Sequence, residues 1–296
     1  MSVANEFLLA AALTMAAAIP AYSAETVLRA VRVPVHDASG LLDPDATFWK
    51  GARPVKVPML PQMVAKPANP SPAVKSLRVR AVHNGHWLAL LVEWKDPTKN
   101  DRVGIDNFGD QLAVQMPVKY NKDALPSPMM GHPGGRVDIW QWRAAFQRDI
   151  EQGEHQALGV YPHALHQLRD LYPNAVVDLY PDQVLRATDA RPYMGALGVD
   201  NPISHPRRTP VLDQMAEGFG TLTVEPDQDA DGKGVWRDGM WSVVVAHALS
   251  SAEPESDINL HPGGESVVTF AVWDGGSREV GSRKAWSGWV SLRLAK

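Results

Sequence analysis

LRVRAVHNGHWLALLVEW, residues 77–94, decides the fold. Leu77, Val79 and Ala81 alternate with Arg78 and Arg80, which gives an extended chain one apolar and one charged face. Asn84-Gly85 follows, a pair that accepts the positive φ angles of a tight hairpin turn. HWLALLVEW, residues 86–94, then returns. The same pattern recurs along the chain. DQLAVQMP (110–117) is followed by RVDIWQW (136–142), and GVWRDGMWSVVVAHAL (234–249) turns at Asp238-Gly239. SVVTFAVWDG (266–275) and WVSLRL (289–294) complete it. Short strands, frequent Gly/Pro turns and period-two alternation predict a mainly β fold, an antiparallel β-sandwich. Residues 143–215 break the pattern. RAAFQRDIEQGEHQALG and HALHQLRDLY are more polar and predict a few short helices in a long middle excursion, a kind of segment that often carries binding surfaces.

Composition narrows the function. The 296 residues carry a formal net charge of -4, which argues against a nucleic-acid partner. There is no cysteine, so disulfides, thiolate metal sites and covalent haem attachment through C-x-x-C-H are excluded. FLLAAALTMAAAIPAYSAE, from Phe7 to Glu25, is short for a membrane span and ends in Pro20 and small residues, as a signal peptide does, with a buried helix or a membrane anchor as the alternative. The expectation is a signal peptide over 1–24, lacking the usual basic n-region, and a single exported domain over 25–296. No later segment is apolar enough to span a bilayer, and export from a bacterium would make the protein periplasmic.

Three constellations carry candidate chemistry. Met129-Met130-Gly131 lies in a Pro/Gly-rich turn before the strand RVDIWQW. Thioether sulfur is a soft ligand suited to haem iron or Cu(I), although loop methionines also serve as gap fillers. His132, next to them, is the rival ligand in that turn. GSRKAWSGW (281–289) places Lys284 beside Trp286 and Trp289. It reads as a snorkelling lysine or as an amine ligand, and the latter would need a deprotonation costing roughly 4–5 kcal/mol at pH 7. In DQDADGKGVWRD (227–238), Asp227, Asp229, Asp231 and Asp238 match part of a calcium loop, with an acidic β-turn as the alternative. His247 lies in an apolar strand and reads as a core residue, not a ligand. There is no catalytic triad to defend and no nucleotide fingerprint.

Taken together, these segments resemble a known family. Its carriers are VRAVHNGHWLALLVEWKDPT, FGDQLAVQMP and MMGHPGGRVDIWQW, then DNPIS, AEGFGTLT and GVWRDGMWSVVVAHAL, and finally VVTFAVWDGG and GSRKAWSGWVSLRL. In this order and spacing they resemble the haem b-binding γ subunit of periplasmic molybdoenzymes of the type II DMSO-reductase family. Its members include the γ subunits of ethylbenzene and dimethylsulfide dehydrogenases and of selenate and chlorate reductases. The resemblance runs from about residue 45 to the C-terminus.

The resemblance implies a non-covalent haem b whose iron is held by Met130 and Lys284, with Met129 and His132 as alternates. It implies electron transfer and no catalysis by this chain alone. The implied partners are an iron–sulfur β subunit, a molybdopterin α subunit and a soluble c-type cytochrome. The chain departs from the family in its long excursion and in Ala285-Trp286 after the lysine. These departures bear on the partner interface, not on the ligands. A carbohydrate-binding or other ligand-binding β-sandwich without haem is the competing expectation.

Overall fold

A computed structural model describes residues 27–104, 106–152, 208–251 and 253–296. The signal peptide expected over 1–24, the segment DNPIS and most of the excursion lie outside the described residues. Among those described, no helix is long and apolar enough to cross a membrane.

The opening hairpin forms as its sequence dictates. Ser76–His83 (β4) and Trp87–Lys95 (β5) pair antiparallel with Arg78 opposite Glu93. The Asn84 carboxamide oxygen accepts the amides of His86 and Trp87, and Gly85 takes φ 99°. Ala230–Arg237 (β10) and Met240–Ala248 (β11) form a second hairpin, and its turn residues Asp238 and Gly239 both have positive φ, 52° and 75°. β11 also pairs with β5. In this half, Leu88, Leu90, Val92 and Trp94 of β5 face the main core. Ala89 and Leu91 point the other way, against Leu41 and Trp49 of the segment that follows the first strand. Both faces of β5 are therefore covered, which explains its nearly unbroken apolar run.

The second half contains Gln111–Pro117 (β6), Val137–Arg143 (β7), Val211–Ala216 (β8) and Thr223–Val224 (β9), all paired antiparallel. Glu265–Trp273 (β12) joins the halves. Its first residues pair with Val290–Leu294 (β14), and its last with β6 and with Ala285–Trp286 (β13). Val55–Pro58 (β2) pairs with β4, and Leu60–Pro61 (β3) with β13. A short helix, Ala144–Gln152 (α1), opens the excursion.

The fold is mainly β as expected, but it is not wholly antiparallel. Val27–Arg32 (β1) lies between β4 and β14 and runs parallel to both. A parallel neighbour needs a long crossover, and residues 33–75 supply it between β1 and β4. Side-chain alternation reports which face is buried and carries no information on strand direction, so the sequence did not show this.

The two halves pack on one another through tryptophan. Trp94 of β5 and Trp241 of β11 meet Trp142 of β7, with ring centroids 6.5 and 5.0 Å apart. These strands are not neighbours in the strand order, so the sheet folds back and buries the three rings between its halves.

Candidate functional site

β7 presents its alternate residues to two different places. Asp138, Trp140 and Trp142 point into the core, while Ile139, Gln141 and Arg143 line a cavity on the opposite face. Ala113 and Gln115 of β6, Gln214 of β8 and Ala271 and Trp273 of β12 extend this floor. The cavity has a volume of about 440 Å³, within the range of roughly 300–1,000 Å³ usual for small-molecule and cofactor sites. Its lining is largely apolar. The polar part of the floor is a row of amides, in which Gln141 donates to Gln111 at 2.8 Å and accepts from Gln214 at 3.1 Å.

Met129 and Met130 form one wall. Their turn is held from below by one side chain. The Gln115 carboxamide donates to the Pro128 carbonyl at 3.1 Å and accepts the Met130 amide at 3.1 Å. Met130 has φ 66°, unusual for a residue with a side chain, and its carbonyl accepts the Gly218 amide at 2.7 Å. Gly131 follows at φ 72°, where a Cβ would sit 2.5 Å from the Gly135 carbonyl oxygen. Glycine at 131 is thus a backbone requirement, and the Met130 side chain packs on the cluster of Ala113, Val137, Ile139, Ala216 and Trp273.

Lys284 also lines the cavity, from the connection between β12 and β13. Its Nζ lies 5.6 Å from the centre of the Trp273 ring. Among the described residues no carboxylate pairs with it. Burial lowers its pKa from 10.5 to about 8. The loop is fixed by Trp273, whose indole donates to the Gly281 carbonyl at 2.8 Å, and by Gln62, which donates to the Ser282 carbonyl at 2.9 Å. Trp289 donates to the Pro126 carbonyl at 2.9 Å, so the segment after Lys284 also anchors the start of the methionine turn.

The structure therefore brings Met129, Met130 and Lys284, more than 150 positions apart, to one cavity. His132 is not part of its lining; it is exposed, and its Nδ1 accepts the Ser127 amide at 3.2 Å. The four aspartates of the calcium-like motif do not converge. Asp231 lies in β10, Asp229 just before it and Asp238 in the turn after it. An extended strand separates positions 231 and 238 by roughly 23 Å, so one ion cannot be wrapped by this segment.

The sequence profile described as ethylbenzene dehydrogenase matches residues 46–285, most of the chain. The chain belongs to the ethylbenzene dehydrogenase family. This agrees with the resemblance carried by its motifs. Among relatives of this family member, a chlorate reductase subunit gamma from Ideonella dechloratans is 26% identical over 291 residues, covering 96% of this chain and 93% of that protein. A respiratory nitrate reductase heme subunit from Haloferax mediterranei is 24% identical over 247 residues, covering 83% of this chain. The match spans 66% of the Haloferax protein, just under two thirds. Among solved structures, a family 9 carbohydrate-binding module from Caldicellulosiruptor kristjanssonii overlaps with a TM-score of 0.40 at 9% identity, covering 91% of this chain and 97% of the module. That likeness carries no functional argument.

Several residues of this ethylbenzene dehydrogenase family member matter at the site and escape a reading by motif. Gln115, Gln141 and Gln214 are one signal that was available: polar residues at cavity-facing positions of otherwise apolar strands. Arg143 also lines the cavity. Burial lowers its pKa to about 10, and its Nε has no hydrogen-bond partner. Phe219, Leu222 and Val280 line the rim while 50%, 45% and 40% exposed. Exposed apolar side chains gathered around an apolar cavity mark a binding surface.

Proposed function

We propose that this chain is a b-type cytochrome subunit of a periplasmic molybdenum oxidoreductase. It holds one haem non-covalently in the cavity. It moves electrons between the iron–sulfur subunit of the complex and a soluble c-type cytochrome. One observation carries this reading: thioether sulfur and an amine without a carboxylate partner among the described residues line the same largely apolar cavity.

The residues present fit that group. Met130 and Lys284 would hold the iron, with Met129 as the adjacent alternate. The absence of cysteine leaves non-covalent binding as the mode of attachment. Bound there, a six-coordinate haem would take up and release single electrons and offer no open position to a substrate.

The chain's own residues set the conditions. The lowered pKa of Lys284 makes its lone pair accessible near neutral pH. Deprotonating an ordinary lysine at pH 7 costs roughly 4–5 kcal/mol, whereas a pKa of about 8 removes most of that cost. As an iron ligand, Met130 would favour the reduced metal and raise its potential. Trp273 packs beside the amine, and Trp286 lines the same cavity. Arg143 supplies positive charge on the floor, suited to a carboxylate on the ligand. In this reading the chain contributes no catalytic residue.

The test is an absorption spectrum of the purified protein, oxidised and dithionite-reduced, with a pyridine haemochrome assay. Sharp low-spin bands and a b-type haemochrome are expected. A folded protein that stays colourless after expression with ample haem would overturn the reading.

A further inference from the structure

Behind the cavity, on the core side of β7, lies a second gathering of ionisable groups. His247 of β11 is fully buried. Its Nδ1 lies 2.7 Å from the Ala248 carbonyl, a pure acceptor, so Nδ1 carries the proton of that contact. The Trp140 ring lies flat against the imidazole, centroids 4.6 Å apart and planes 6° apart, and fixes where the other nitrogen points. Nε2 faces three carboxylate oxygens: Asp229 at 3.1 Å, Asp213 at 3.2 Å and Asp257 at 3.5 Å. Asp138, fully buried, completes the group.

Hydrogen bonding does not satisfy this cluster. His247 Nε2, both oxygens of Asp213 and one oxygen each of Asp138, Asp229 and Asp257 have no hydrogen-bond partner. Even a protonated His247 would offer one N–H to several acceptors. Among the described residues no lysine or arginine pairs with any of these carboxylates. One imidazolium cannot balance this many carboxylates, and buried charge without a counter-charge is untenable. The other buried acidic group, Asp96, Asp110 and Asp274, is built differently: each of its members accepts backbone amides, from Thr98, from Asn100 and Gly275, and from Ser277. That group is satisfied by its own hydrogen bonds apart from one Asp96 oxygen, whereas among the described residues of the His247 group one long backbone bond, from the Ile258 amide to Asp138 at 3.4 Å, leaves six ligand atoms unpartnered.

Spacing fits an ion. Ligand atoms of Asp138, Asp213, His247 and Asp257 all lie within 4.8 Å of one another. Ligands around a single cation with bonds of about 2.0–2.4 Å are separated by no more than about 4–5 Å. The donated Nδ1–H to a carbonyl is the usual support of a metal-bound imidazole.

We propose that Asp138, Asp213, Asp257 and Nε2 of His247 bind one divalent cation, with Asp229 at its edge. A nitrogen donor among carboxylates suits manganese or zinc better than magnesium or calcium. The site is structural: its ligands come from β7, β8, β11 and the segment after β11, so the ion ties the two halves of the sheet across the core. It is separate from the cavity, which lies on the other face of β7 and β8.

The full chain, as purified, is dialysed against EDTA at pH 7.5, and its melting temperature is followed while Mn²⁺, Zn²⁺ or Ca²⁺ is added. Haem iron is counted separately by pyridine haemochrome, so loss of haem and loss of this ion are distinguishable. The expected result is a melting temperature raised by 5 °C or more with Mn²⁺ or Zn²⁺, saturating at one ion per chain, and abolished in His247→Gln. If that variant does not fold, the wild-type titration stands alone, with Asp257→Asn expected to weaken binding at least tenfold. No shift with any of the three ions would overturn the proposal. So would a response to Ca²⁺ alone, because His247 nitrogen would then lie outside the coordination set.

Discussion

Gln115 holds Met130 by its backbone, accepting the Met130 amide at 3.1 Å while donating to the Pro128 carbonyl two residues earlier. A side chain on a strand thus adds two bonds to a turn whose own backbone closes through the Gly131 amide and the Ser127 carbonyl at 3.0 Å. Gln115→Leu removes both bonds at little change in size. The expected cost is about 1–3 kcal/mol, read as a fall of several degrees in melting temperature. Haem retention on gel filtration should fall with it. Unchanged haem retention would show that the turn holds its shape without Gln115.

Met130→Ala and Lys284→Ala should each convert a low-spin spectrum to a high-spin or altered one, and Met130→Ala should lower the potential as well. Met129→Ala is the control and should leave the bands in place. If Met129→Ala changes the spectrum and Met130→Ala does not, the ligand is the neighbour. Unaltered spectra in all three variants would remove both axial assignments.

Acid should break the lysine bond before the methionine bond. An amine must lose its proton to coordinate, so a falling pH favours the free, protonated Lys284, whose pKa near 8 already reflects burial. Metal binding lowers the pH of this transition further. The expected observation is a reversible spectral change in wild type at mildly acid pH that is absent in Lys284→Ala. A wild-type spectrum constant down to the pH of unfolding would count against the lysine.

Stability should fall as pH rises through the weakly acid range. Burial raises Asp110 to about 7, with repulsion from Asp96 second, and burial raises Asp96 to about 6. Both folded values lie above the unfolded value of 3.8. Between the two, the folded chain keeps protons that the unfolded chain has lost, so stability present at about pH 4 is progressively lost by about pH 7. Asp96→Asn removes one titrating group and the repulsion on Asp110, and one Asp96 oxygen has no partner to lose. The melting temperature of the variant should vary less between pH 5 and 7.5 than that of wild type. Equal slopes would locate the titration elsewhere.

Gly234→Ala tests the join between the halves. A Cβ there would collide with the Trp142 ring, which packs against Trp94 and Trp241. Overpacking a core in this way costs about 1–3 kcal/mol. Urea unfolding should show a lower midpoint. An unchanged midpoint would mean that the ring has room to move.

Much of this molecule was legible before its structure. The alternation in 77–94 gave the first hairpin because side-chain period and burial are the same fact seen twice. Asp238-Gly239 gave the second because only a tight turn fits between two such strands. The methionine turn and Lys284 stood out by residue type, and family resemblance joined them. The acidic cluster was not legible. Asp138, Asp213 and His247 sit in three separate strands, each looking like an isolated polar residue in an apolar run, and only the folding back of the sheet brings them together. For the same reason His247 read as an ordinary core residue. Asp229 misled in the opposite way: its neighbours in sequence suggested a loop, while its partner is His247 across the sheet.

The two-sidedness of β7 has a use in engineering. Positions 139, 141 and 143 face the cavity, and 138, 140 and 142 face the core. The first set can be redrawn in a library to retune the ligand's surroundings while the second is held constant. Inserting or deleting one residue in this strand would do the reverse, exchanging the two sets and losing both sites in a single step.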